Sequence, residues 1–196
     1  MTAKRLSFTA AALALVILLI IGLAQLGSST PAPPPPRLTL AQMRTRLAGS
    51  APQLATLHAQ ANELLGGGIG ALDVRLRRLH GEPLVINKWA SWCAPCRSEF
   101  GVFQSVSVTL GRQVAFIGID SGDTNRSEAL AFLRTSPLSY PSYYDASERV
   151  GLAITDSSST PVTVFFDRAG HEYIHQGPYL STARLEQDVA RYALDG

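Results

Sequence analysis

The sequence predicts an α/β fold, a central mixed sheet flanked by helices, with an N-terminal helical extension and a transmembrane anchor. Three observations predict it. From residue 81 onward, short apolar runs alternate with helix-compatible segments, as a sheet covered by helices requires. The only two cysteines, Cys93 and Cys96, form a C-x-x-C pair where one apolar run gives way to a helical pattern. Residues 6–26 form an uncharged apolar run preceded by Lys4 and Arg5.

The elements follow in order. As a helix, residues 6–26 span about 31 Å, enough for a bilayer core of roughly 30 Å. Basic residues before the run and a long chain after it orient the N-terminus inward. A cleaved signal peptide is the competing reading. Its apolar region is usually about 7–15 residues, and no good small-x-small site precedes the prolines here. Residues 1–27 are therefore expected to be an anchor or an uncleaved signal. The protein is then expected to be a single-pass protein of the cell membrane with the domain that follows extracytoplasmic. Residues 28–37, with Pro31 and Pro33 to Pro36, suit a polyproline II stalk rising about 3.1 Å per residue, and a proline-motif ligand is the alternative.

Residues 38–80 are expected to be a helical extension. Leu54, Leu57, Ala61, Leu64 and Leu65 repeat at helical spacing after Pro52, and Gly66, Gly67 and Gly68 end that helix. Leu72, Leu76 and Leu79 mark a second helix, with Arg75, Arg77 and Arg78 on its wet side. Both stripes are expected to pack against the domain that follows. His58 and His80 have no companion acid or cysteine nearby and receive no role.

Residues 81–196 form the main domain. Strands are expected over residues 83–89, 113–120, 162–166 and 172–175, with a short extended piece over 140–145. Helices are expected over residues 94–110, 125–135, 147–154 and 181–194. Residues 167–170 read as a hairpin turn ending on Gly170. Ser181 caps the last helix, which places Leu185, Val189 and Tyr192 on one face.

A net charge of +2 is too small to argue for nucleic acid. The C-x-x-C pair carries the chemistry. A strand stopping at such a pair, with a helix opening on it, points unpaired backbone N–H groups at the first sulfur. That field can pull a cysteine pKa from about 8.5 into the range of roughly 3.5–7.5. Cys93 is then the exposed attacking sulfur and Cys96 the more buried resolving partner. A zinc site would need His171 and His175, but four residues of strand span about 13 Å, too far for one metal. Haem attachment would need histidine where Arg97 stands. A structural disulfide closing so short a loop gains little entropy. Redox chemistry is the reading the pair supports best.

Residues 89–99, Trp-Ala-Ser-Trp-Cys-Ala-Pro-Cys-Arg-Ser-Glu, resemble the active site of the thioredoxin superfamily. Within it they resemble the TlpA/ResA/DsbE-like group of membrane-tethered thiol-disulfide oxidoreductases. Asn87 stands where thioredoxin itself carries a buried acid, and Glu99 where ResA-like proteins carry an active-site glutamate. Thr160-Pro161 matches the cis-proline dipeptide of the superfamily. The resemblance covers about residues 81–192 and departs at Gly101, where the group often has proline.

The resemblance implies a thioredoxin-like fold and a reaction without metal, nucleotide or flavin, in which the cysteine pair itself carries the electrons. It implies exported thiol or disulfide client proteins, such as apocytochrome c, and a membrane redox partner of DsbD/CcdA type or an oxidase. It places the Pro161 loop opposite the sulfurs, so that the Thr160 backbone can pair with an extended substrate. Trp92 is expected to wall the substrate, Trp89 to be core, and Pro95 to stiffen the loop. Glu99 has two readings, a desolvated acid exchanging protons with Cys96 or an exposed first-turn acid favoured by the helix dipole. If Asn87 replaces the thioredoxin acid, Glu99 is the main candidate for proton transfer. The implied activity is reduction of disulfides in exported proteins. A disulfide-forming oxidase and a non-catalytic binding module are the alternatives.

Overall fold

A computed structural model describes residues 37–195. The expected anchor over residues 1–27 and all but the last residue of the 28–37 linker lie outside the described residues. Among the described residues no helix is long and apolar enough to cross a membrane. The elements in chain order are α1 (Leu40–Leu47), α2 (Pro52–Ala59), β1 (Leu64–Leu65), α3 (Gly68–Arg78), β2 (Leu84–Trp89) and α4 (Ala94–Leu110). Then come β3 (Ala115–Ser121), α5 (Arg126–Thr135), β4 (Ser142–Asp145), α6 (Arg149–Thr155), β5 (Val162–Phe166), β6 (Glu172–Gln176) and α7 (Thr182–Val189). A π-helical turn, Ala190–Leu194, closes the last helix.

The strands form one mixed sheet in the order β1-β4-β3-β2-β5-β6. β1, β4, β3 and β2 run parallel, and β5 and β6 are antiparallel additions. This is the thioredoxin-like α/β arrangement. β2 lies at its centre and is buried at every position, as a strand covered on both faces must be. On one face Val85, Trp89, Phe116 and Phe165 pack with Phe100, Phe103, Phe132 and Leu185. On the other, Ile86, Ile117, Ile119 and Val164 pack with Leu54, Leu57, Leu72, Leu79 and Val150. The leucine stripes of α2 and α3 thus fill the second core layer.

The extension departs from its expected form in three ways. The helix opened by Pro52 stops at Ala59, and Leu64 and Leu65 form an edge strand paired with Ser142 and Tyr143. Asn62 causes the break. It adopts a left-handed φ of 66°, its amide donates to Leu133 O and accepts from Leu138 N, and its own N–H donates to Tyr140 O. Secondly, the three glycines begin α3 instead of ending a helix, with Gly67 at φ 99° as its N-cap. A Cβ at Gly67 would sit 2.7 Å from the Ala71 side chain. Thirdly, Arg75 is half-buried rather than wet, donating to Tyr143 Oη at 3.2 Å and to Gln60. α1 is unforeseen, although its capping box of Thr39 and Gln42 was readable in the sequence.

Candidate active site

β2 delivers the chain to the C-terminal edge of the sheet, and α4 begins there. Cys93 is the N-cap of α4, with extended backbone, because the strand ends before the helix can start. Pro95 lies in the first helical turn, where a missing N–H costs nothing. The two sulfurs are joined as a disulfide. Cys96 N–H points at Cys93 Sγ at 3.2 Å, the expected direction of a helix N-terminus towards the first sulfur. Cys93 is 4% exposed and Cys96 0%. The order of burial is as expected, but Cys93 is not the exposed sulfur foreseen, because the Thr160 loop covers it. The carbonyl of Thr160 lies 3.8 Å from Cys93 Sγ, and the Thr160–Pro161 peptide is cis. Pro161 is buried and Thr160 half-buried.

The arm before Cys93 is tied to the loop after β3. Ser91 N–H and Oγ–H donate to the two carboxylate oxygens of Asp123 at 2.6 and 2.7 Å. Trp92 is 62% exposed, and its indole N–H donates to Gly122 O at 3.2 Å. An apolar ring is thus held open to solvent beside Cys93. Trp89 is fully buried, packed edge-on against Phe100.

Glu99 lies one turn beyond Cys96 and is fully buried. Its Oε1 accepts from Asn87 Nδ2 at 2.8 Å and its Oε2 from Tyr179 N at 2.9 Å. Burial pushes its carboxyl up to about 8, against the pull of the bonds from Tyr179 and Asn87. Tyr140, also fully buried, has a hydroxyl without a partner and is raised by burial and then by the Glu99 charge. Glu99 is therefore no solvated first-turn acid. Asn87, facing it from β2, orients it.

The structure brings Cys93, Cys96 and Thr160 into contact distance and places Glu99, Trp92, Pro95 and Pro161 around them through shared elements. His171 instead bonds Asp167 at 2.7 Å, and His175 lies against the Tyr179 ring with centroids 4.3 Å apart. Sequence reasoning missed Tyr179, Asp123 and Lys88. Lys88 is 1% exposed and donates to Ser157 O, anchoring the loop that leads to Pro161. A lysine inside the otherwise apolar β2 run was the available signal. Tyr179 acts through its backbone, so no side-chain signal existed.

A six-stranded mixed sheet with a disulfide at the N-cap of a central helix, opposite a cis-proline, defines the thioredoxin-fold class. The chain belongs to the AhpC/TSA family, whose model matches residues 58–171. It is 32% identical over 110 residues to the thiol:disulfide interchange protein DsbE of Tatumella citrea, covering 55% of this chain and 57% of that one. It is 26% identical over 118 residues to the thioredoxin-like protein YneN of Bacillus subtilis, covering 58% and 67%. The match thus spans little more than half the length of the DsbE relative. Among solved structures, a secreted thiol-disulfide isomerase from Corynebacterium glutamicum aligns at 26% identity and TM-score 0.51, covering 61% of this chain and 72% of that one.

Proposed function

We propose that this protein is an extracytoplasmic thiol-disulfide oxidoreductase that reduces disulfides of exported proteins. The observation that carries the reading is the Cys93–Cys96 disulfide at the start of α4, with the Glu99 carboxyl buried one turn behind it. In the reduced protein the Cys93 thiolate attacks a client disulfide. One client sulfur bonds to Cys93 Sγ and the other leaves as a thiolate, which takes a proton. Cys96 then attacks Cys93 Sγ, closes the intramolecular disulfide and releases the second client thiol. Two electrons pass from the cysteine pair to the client. A dithiol donor in the membrane, the role the resemblance gives to a DsbD/CcdA-like partner, returns them. Nothing in this cycle calls on a metal or organic cofactor.

The neighbours divide the work. The Cys96 N–H and the helix N-terminus favour the Cys93 thiolate. Glu99, with its carboxyl at about 8 and so near the ordinary range of a thiol, exchanges a proton with Cys96 as that thiol turns nucleophile. The Thr160 carbonyl, 3.8 Å from Cys93 Sγ, lies where an extended client backbone can pair with the loop before Pro161. Trp92 offers the client an apolar surface. Residues 1–27 anchor the protein, so the domain works on the extracytoplasmic side of the cell membrane, and exported apocytochrome c is a client class of suitable chemistry.

The test is twofold. The protein is expected to catalyse dithiol-dependent reduction of a protein disulfide, and Cys93→Ser to abolish it. Its reduction potential is expected nearer the roughly −270 mV of thioredoxin than the roughly −120 mV of DsbA. A potential near the latter would reverse the direction and make the protein an oxidase. Retention of function by Cys93→Ser would leave only a binding module.

A further inference from the structure

A second buried carboxyl site lies behind the arm that leads into Cys93. Asp120, next to last in β3, is fully buried, and neither of its oxygens accepts from any N–H or O–H group. Asp123, three residues further on and itself 1% exposed, acts on it both as a hydrogen-bonding acid and by its charge, each holding the Asp120 proton more tightly. Asp123 turns both oxygens to Ser91, at 2.6 and 2.7 Å. Two carboxylates are acceptors only and cannot bond one another. A carboxylic acid and a carboxylate can, through one proton.

We propose that Asp120 and Asp123 share one proton, and that the pair positions the active-site arm by holding Asp123 on Ser91. Ser91 lies two residues before Cys93, and Cys93 N–H donates back to Ala90 O at 3.2 Å, so the arm is a turn whose first half is pinned by Asp123. Without the proton, two like charges stand side by side in a buried site, and their repulsion pushes Asp123 off Ser91. Other charges face the pair. Asp145, at the end of β4, also disfavours the ionised Asp120, whereas Arg126, at the start of α5, favours it. Lys88, anchored on Ser157 O, in turn faces Asp145 and Glu148. Burial, then Asp123, outweighs Arg126 and lifts Asp120 to about 9.

The inference rests on the redox reading of the disulfide, because positioning Cys93 matters only if Cys93 reacts. It is tested on the oxidised full chain carrying Glu99→Gln, which removes the other raised carboxyl near the sulfurs. Two readouts are followed from pH 7 to 10, the NMR shift of the Ser91 amide and the rate at which a water-soluble phosphine reduces the disulfide. Both are expected to move through one step near pH 9, the rate changing by a factor on the order of three to ten. Adding Asp120→Asn is expected to remove the step from both, since an amide N–H then replaces the shared proton permanently. Ser91→Ala, which deletes only the hydroxyl contact, is expected to shrink the step in rate. A step that survives Asp120→Asn, or a Ser91 amide that does not move, overturns the proposal. The amide readout needs no client protein. A chain that shows the step but exchanges with no client therefore refutes the oxidoreductase reading alone.

Discussion

Glu99, one turn beyond Cys96, and Asp120, in β3, are both fully buried carboxyl groups, yet they are solvated by the protein in opposite ways. Glu99 receives one N–H on each oxygen, from Asn87 and Tyr179, and these donors favour its ionised form. Asp120 receives none; the acids Asp123 and Asp145 hold its proton on, and only the Arg126 charge opposes them. Burial raises both, but the donors hold Glu99 at about 8, whereas Asp120 rises to about 9. Glu99 can therefore take up and release a proton within the working range of a thiol. Asp120 keeps its proton through neutral pH and serves as a fixed donor. Equal burial does not make equal chemistry; the donors around Glu99 and the acids around Asp120 push in opposite directions.

The largest expected effects come from removing the sulfurs. Cys93→Ser should abolish dithiol exchange, and Cys96→Ser should accumulate mixed disulfides with clients, visible as reducible conjugates on gels. If alkylation of the reduced protein modifies Cys96 first, the order of attack is reversed.

Next comes stability against pH. Both carboxyls are raised in the folded state, so the fold binds their protons more tightly than the unfolded chain does. Their contribution is present in full below about pH 4 and is lost as pH rises through about 8 for Glu99 and about 9 for Asp120. Denaturant unfolding of the oxidised protein should therefore show a loss on the order of a few kcal/mol between pH 5 and 9. Glu99→Gln should lessen that slope only below about pH 8, whereas Asp120→Asn should lessen it throughout and remove what remains between about 8 and 9. A slope unchanged by either variant would mean that neither carboxyl is raised.

A smaller effect separates proton transfer from packing at Glu99. Asn87 Oδ1 is buried without a partner, so rotating that amide presents an acceptor to the new NH2 group of Glu99→Gln. The fold should thus lose no more than about 1–2 kcal/mol, while thiolate absorbance against pH changes its course. Superimposable titration curves would reduce Glu99 to a packing residue.

The smallest structural effect is expected at the rim. Trp92→Ala removes a ring that is 62% exposed, so stability should shift by less than about 1 kcal/mol. Client turnover should fall through a raised KM. An unchanged KM would take Trp92 out of the client surface.

The sequence by itself determined the central strand, the helix after it and the order of β3 to β6, because apolar period and turn residues act over a few neighbouring positions. It also singled out Cys93 and Cys96 as a pair, since two sulfurs three apart at a strand-to-helix junction lie within reach of one bond, and the structure joins them. The place of Glu99 beside Cys96 was legible as helical spacing. Only the tertiary structure decided that Leu64 and Leu65 are strand, since two apolar residues carry no period and their partners, Ser142 and Tyr143, lie far along the chain. Only it decided what each acid is worth. The donors of Glu99 come from Asn87 and from a backbone N–H at Tyr179, and the partner of Asp120 comes from the loop beyond β3. A side chain's type is written locally. The dielectric and the donors around it are assembled from distant segments, and those set where its proton goes.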